Sequence, residues 1–199
     1  NYAEHVIEQA LANNREPNIP DEPHIGYRAN NALIAHNESI IKPSDSSEEF
    51  QYEGELVAII GKEAKNISED EALDFVFGYT IGNDVSERKW QRDDRTMWRA
   101  KNTDTFKPMG PWIETDVNLD KLVTTVRLNN IETISFPTNS MIFGVARFIS
   151  AMSRYLTLVP GDMIWMGTEG HSKNMKVGDI CEIEINEIGT LRNPIILGN

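Results

Sequence analysis

Residues 52–62, YEGELVAIIGK, restrict the fold more than any other stretch of the chain. They open with two carboxylates one residue apart and run directly into the apolar segment 56–60. As a strand this stretch alternates its side chains between two faces, so Glu53 and Glu55 project from one side about 7 Å apart. Like charges at that spacing repel. In a buried mouth they must take up protons or share a cation, and a donor set made only of oxygens selects a hard ion such as Mg²⁺ or Mn²⁺, with Ca²⁺ a third option. On a surface the same pattern is an edge strand with a solvated acidic face. Spacing alone leaves both readings open.

The rest of the chain repeats short strands between turn signals. Residues 122–128 and 131–136 read as a hairpin turning at Asn129-Asn130, because asparagine tolerates positive φ. Pro160-Gly161-Asp162 leads into a strand over 163–166, and Gly178-Asp179 precedes strands over 181–185 and 191–196. Apolar pairs between 25 and 43 predict two more short strands. Helices are few. Residues 1–12 form one; Ser68 with Glu71 suggests a capping box for a second, with the stripe Ala72, Phe75, Val76 and a stop at Gly78. Ile142, Val145, Ile149 and Met152 recur at three- and four-residue spacing and predict a third over 138–155. Residues 104–112, DTFKPMGPW, carry two prolines and a glycine and predict a rigid irregular loop; the polar residues 13–22, with Pro17 and Pro20, suit a flexible flap. The expectation is a β-rich α+β fold of mixed topology, one domain over 1–199, whose start at Asn1 without methionine implies missing upstream residues.

Charge and composition remove whole classes of function. A formal net charge of −12 with no Lys/Arg-rich run argues against a nucleic-acid partner. No apolar run approaches the roughly 18 residues of a membrane-spanning helix. The single cysteine, Cys181, excludes an intrachain disulfide and points to a reducing, cytoplasmic setting; it lies in the alternating stretch 180–185, where it packs. One stretch is locally cationic: Arg88, Lys89, Arg92, Arg95, Arg99 and Lys101 stand against Asp93 and Asp94. That is either a solvated helix face or the counterweight to a carboxylate-bearing substrate.

Three further residues carry candidate chemistry. His5 and Glu8 are three apart on a helix and share a face, as a surface contact or as an acid/base dyad in which the carboxylate orients the imidazole. Asp84 follows the apolar-leaning run 79–81, where it either caps a helix over 85–91 or is delivered to a site.

Together these segments resemble the fumarylacetoacetate hydrolase family over nearly the whole chain. NYAEH followed by Glu8, YEGEL, GNDVSERKWQ, AKNTDTFKPMGPW, LVPGDMIWMGT and the VGD turn match in order. The match is to single-domain members and implies the family's mixed β-roll and homodimer. It implies a divalent metal on Glu53, Glu55 and Asp84, a catalytic His5–Glu8 pair, Lys101 and Gln91 as substrate-contacting donors, Gly167 and Thr168 as the Gly-Thr loop, and a bridging Arg88. Three carboxylates with a divalent ion leave a formal charge of −1, so chelation of an α-keto acid depends on Lys101 and neighbouring donors. The chain departs from many members at Lys89, at Asn102-Thr103 and at Glu169, positions that bear on the substrate.

The implied activity is metal-dependent hydrolysis of a carbon–carbon bond in a β-diketo acid of acylpyruvate or fumarylpyruvate type. In it the metal acts as Lewis acid, His5 oriented by Glu8 deprotonates water, and Lys101 with Gln91 steadies the oxyanion. Isomerisation of hydroxymuconate-type dioates or decarboxylation of oxaloacetate is the alternative. A non-catalytic ligand-binding member of the fold is the third reading.

Overall fold

The strand expected at residues 56–60 lies at the centre of the molecule. A computed structural model describes residues 1–12 and 14–198, apart from the side chains of Gln9 and Ala12. In chain order these residues form α1 (Ala3–Ala12), β1 (Leu33–Ile34), β2 (Ile40–Lys42), β3 (Phe50–Gln51), β4 (Gly54–Ile60), α2 (Glu69–Ala72), β5 (Val76–Asn83), β6 (Ser86–Glu87), α3 (Arg88–Asp93) and α4 (Trp98–Asn102). There follow β7 (Lys107–Glu114), β8 (Val123–Leu128), β9 (Ile131–Pro137), α5 (Val145–Ser153), β10 (Met163–Trp165), β11 (Ile180–Ile185) and β12 (Gly189–Leu197). One five-stranded sheet runs β1-β7-β5-β4-β10, a second runs β2-β12-β11-β8-β9, and β3 pairs with β6 as a short ribbon. The β1–β7 and β2–β12 pairs are parallel and the others antiparallel, so the β-rich, mixed class holds. No helix among the described residues is long and apolar enough to cross a membrane.

Every residue of β4 is buried, but its two faces do different things. Leu56, Ala58 and Ile60 join Ile81, Val126, Ile183, Ile185 and Leu191 in one apolar cluster between the sheets. The alternation of a strand then sends Glu53 and Glu55 to the opposite face. Gly54, between them, points at the second sheet: a Cβ there would lie 2.9 Å from Val126 Cγ2 and 3.1 Å from Ile183 Cγ2. The carboxylate pair thus flanks a close contact between the two sheets.

The hairpin at Asn129-Asn130 forms as expected, with φ of 53° and 65° at its two central residues. Elsewhere the structure corrects the sequence reading. Residues 104–112 are not an irregular loop: Lys107–Glu114 is a strand between β1 and β5, and the ladder slips opposite residues 111–113, which absorbs the donor that Pro111 lacks. Gly78 is not a helix stop. It lies inside β5, where a Cβ would meet Glu114 O at 2.7 Å, and the helix ends earlier in a 3₁₀ turn over Leu73–Phe75. Ser68 Oγ donates to Glu71 Oε2 at 2.5 Å without a side-chain bond to the backbone, so the capping box is incomplete. The helix expected over 138–155 is only Val145–Ser153. Ahead of it Asn1 captures the backbone of Ile142 and Phe143, which keeps that stretch out of the helix. Asp84 caps nothing: the helix after it is Arg88–Asp93, and Glu87 accepts from Trp90 N at its start. Of the expected flap, Asn13 lies outside the described residues.

Candidate metal centre and its cavity

Strand pairing brings three carboxylates together. In the antiparallel β4–β5 ladder Gly54 faces Asn83, so Glu53 and Asp84 are the next opposed residues, tied by Asp84 N donating to Glu53 O at 2.9 Å. Opposed residues project from the same face of a sheet. Glu53, Glu55 and Asp84 therefore converge, each buried, with one oxygen of each lying within 4.8 Å of the others.

Cations answer two of the three. Lys101 Nζ bridges Glu53 Oε2 at 2.6 Å and Asp84 Oδ2 at 2.7 Å. Arg88 Nη2 lies 2.7 Å from Glu53 Oε1, a Coulombic contact without hydrogen-bond alignment. Asp84 also takes Lys107 Nζ at 2.6 Å and the Arg28 guanidinium, with Nη2 at 2.9 Å and Nε at 3.1 and 3.2 Å. Burial opposes ionisation of Glu53 and Asp84, yet Lys101, with Arg88 at one and Lys107 and Arg28 at the other, holds both carboxyls below their usual range. Burial pulls the Lys107 ammonium down to about 8, against Asp84, which favours its charge.

Glu55 is the exception. Its Oε2 accepts from Gly167 N at 2.7 Å, and no lysine or arginine among the described residues pairs with it. Burial, then Asp84 and Glu53, push its carboxyl well above the usual range. Three buried hard-oxygen donors, one lacking a counter-charge, fit a divalent cation. Such an ion supplies the charge that Glu55 lacks.

One cavity of about 1350 Å³ opens over this cluster. Its lining includes His5, Glu8, Gln91, Arg88, Lys101, Gly167 and Thr168 with the three carboxylates, so it gathers the ten candidate site residues, whereas Lys89, Asn102, Thr103 and Glu169 are not part of it. His5 donates from Nδ1 to Gly170 O at 2.8 Å, which turns Nε2 toward Glu53 Oε1 at 3.9 Å. Burial lowers the pKa of the ring, so it favours the neutral imidazole, although Glu53 pulls the other way. Glu8 is exposed on the same helix and makes no polar contact with a described residue, so in this geometry the imidazole is oriented by Gly170. Gln91 Oε1 accepts from Arg88 Nη1 at 2.9 Å, and Gln51 Oε1 from Arg88 Nε at 2.8 Å.

The cationic stretch divides. Arg88 and Lys101 turn inward, Arg92 pairs with Glu49, and Arg99 stacks on Trp90 at 4.2 Å. Two residues at the centre escaped the sequence reading, Arg28 and Lys107. Each is a lone cation in a proline- or glycine-punctuated stretch, and only the fold brings it to Asp84.

Residues 1–196 match the family model described as Fumarylacetoacetate (FAA) hydrolase C-terminal. A 2,4-didehydro-3-deoxy-L-rhamnonate hydrolase from Sphingomonas is 37% identical over 207 residues, covering 98% of this chain and 70% of that protein. Among solved structures, 5-carboxymethyl-2-hydroxymuconate delta-isomerase from Mycobacterium smegmatis has a TM-score of 0.89 at 36% identity, covering 100% of this chain and 76% of that one. Maleylpyruvate hydrolase from Sphingobium, solved with manganese(II) and pyruvate, has a TM-score of 0.79 at 27% identity, covering 86% of this chain and 64% of that one.

Proposed function

The chain belongs to the fumarylacetoacetate hydrolase family, and from that premise we propose a divalent-metal-dependent enzyme of 2-keto acids, in the first place one that hydrolyses a carbon–carbon bond in a β-diketo acid of acylpyruvate or fumarylpyruvate type. The observation that carries this reading is the buried convergence of Glu53, Glu55 and Asp84, with Glu55 in no ion pair with a lysine or arginine among the described residues. A solved relative holding manganese(II) and pyruvate supports both the ion and the ligand class. Bound there, Mg²⁺ or Mn²⁺ supplies Lewis acidity to the oxygens of the keto acid.

The chain's own residues do the rest. His5, fixed through Nδ1 and free at Nε2, takes a proton from water, and the hydroxide adds to the distal carbonyl. Lys101 and the amide of Gln91 donate to the oxyanion that develops. Collapse breaks the carbon–carbon bond, and the departing carbanion, delocalised into the keto acid, takes the proton back from His5. Glu8 shares the helix face of His5 and lines the same cavity.

A second reading, isomerisation of a dioate, is favoured by one detail. The ring of His5 is held by a backbone carbonyl rather than by Glu8, and one placed base suffices to move a proton between carbon and oxygen. The resemblance to an isomerase at TM-score 0.89 supports it equally. Turnover of acylpyruvate, oxaloacetate and a panel of dioates, with metal supplied and withheld, separates the two by their products. No turnover of any with Mg²⁺ or Mn²⁺, or turnover indifferent to a chelator, refutes the proposal.

A further inference from the structure

Among the described residues, four cations touch the oxygens of the carboxylate centre: Arg28, Arg88, Lys101 and Lys107. Against three carboxylates, all ionised as ligation of a cation requires, they leave one positive charge, and a divalent ion raises it to three. Surplus charge in a buried site is costly unless a ligand neutralises it. A keto acid with one carboxylate cancels one of the three, a keto dioate two.

The four cations are not equally committed. Lys107 is fully buried and also donates to Phe106 O at 2.9 Å. Arg88 is fixed by Gln51 and Gln91, and Lys101 spans Glu53 and Asp84. Arg28 differs. It comes from a stretch outside helix and strand, its side chain is 21% exposed, and it lies on the cavity wall. Its segment is pinned beside Lys101, where Ala29 N donates to Asn102 Oδ1 at 2.7 Å, and Arg28 Nη1 donates to Tyr27 O at 3.1 Å on the exposed side, leaving Nε and Nη2 for the carboxylate. The guanidinium presents a fork, Nε and Nη2, to a carboxylate, a geometry that transfers unchanged to any other carboxylate within reach.

We propose that Arg28 reads the second carboxylate of a keto dioate: when a divalent ion takes Asp84, the fork passes from Asp84 to the distal carboxylate of the ligand, and the site selects keto dioates over keto acids with neutral tails. This rests on the keto-acid reading of the centre. Asn102 acts through Arg28 by anchoring its segment.

The matched pair 2-oxoglutarate and 2-oxopentanoate, equal in carbon count and differing in the terminal carboxylate, tests this by calorimetry on the Mn²⁺-loaded full chain. Wild-type protein is expected to bind 2-oxoglutarate about tenfold tighter or more. Arg28→Gln should reduce that preference to within about twofold, by losing affinity for 2-oxoglutarate alone, and Arg28→Lys should keep part of it. Melting curves check that both variants fold; should the glutamine variant not, the wild-type ratio and the lysine variant still decide. No preference in the wild type, or a full preference in Arg28→Gln, overturns the role of Arg28. Equal binding of both ligands that depends on Mn²⁺ does so while leaving the keto-acid reading intact. Absence of metal-dependent binding of either ligand overturns both.

Discussion

A single methyl placed on Gly54 measures how tightly the two sheets close beneath the carboxylates. In Gly54→Ala the new Cβ would sit 2.9 Å from Val126 Cγ2, 3.1 Å from Ile183 Cγ2 and 3.6 Å from Ile183 Cδ1, the first two inside ordinary van der Waals contact. Forcing an extra group into a packed core costs about 1–3 kcal/mol. Opposing this, replacing glycine lowers the entropy of the unfolded chain, worth about 0.4–1 kcal/mol in favour of the variant. The overlap is the larger effect. Gly54→Ala should therefore lose about 1–2 kcal/mol in a urea titration followed by tryptophan fluorescence, with an unchanged slope. Val126→Ala removes the nearer obstacle, so in that background the cost of Gly54→Ala should shrink by about 1 kcal/mol, visible as coupling in a double-mutant cycle. Equal cost in both backgrounds, or a variant more stable than wild type, refutes the close approach and the account of how Glu53 and Glu55 are held.

Other expectations follow from the same geometry. His5→Ala should abolish turnover while calorimetry shows Mn²⁺ binding within about twofold of wild type, since the imidazole lies 3.9 Å from Glu53 and outside the carboxylate set. Glu55→Gln should weaken Mn²⁺ binding at least about tenfold, because it removes the one carboxylate of the three that pairs with no lysine or arginine among the described residues. Cys181 is buried, and burial pushes its thiol up, so a thiol reagent should react only after urea unfolds the chain. Burial also pushes Tyr79 up to about 12. The folded state then holds its phenol proton longer than the unfolded state, so this stability is complete below about pH 10 and fades toward pH 12. By pH 11 the loss is about 1 kcal/mol, and Tyr79→Phe should remove that part of the alkaline decline in urea titrations.

The parts of the site that sequence could reveal are those carried by local periodicity. Glu53 and Glu55 share a face because a strand repeats every two residues, and that is legible in YEGEL. Asp84 is different: its place depends on the pairing of Gly54 with Asn83, and no spacing within residues 79–84 specifies it. Resemblance to the family supplied that link. Arg28 and Lys107 reach Asp84 only through the fold, and neither lies in a pattern that would mark it as more than a lone surface charge. The prolines of β7 were misleading for a physical reason, since a ladder that slips at Pro111 hides the strand from any rule of regular pairing. The apolar repeat before α5 misled in the opposite sense: Ile142 fits a helical stripe, but Asn1 binds the backbone there more directly than a helix would.

The three carboxylates and His5 come from different parts of the fold. Glu53, Glu55 and Asp84 are fixed by two neighbouring strands of one sheet, whereas His5 rides on α1 and is held to the centre through Gly170. Changes in α1 can therefore move or replace His5 without dismantling the carboxylate cluster. On the proposed function, a scaffold divided in this way lets the reaction change with the helix while the carboxylate seat persists.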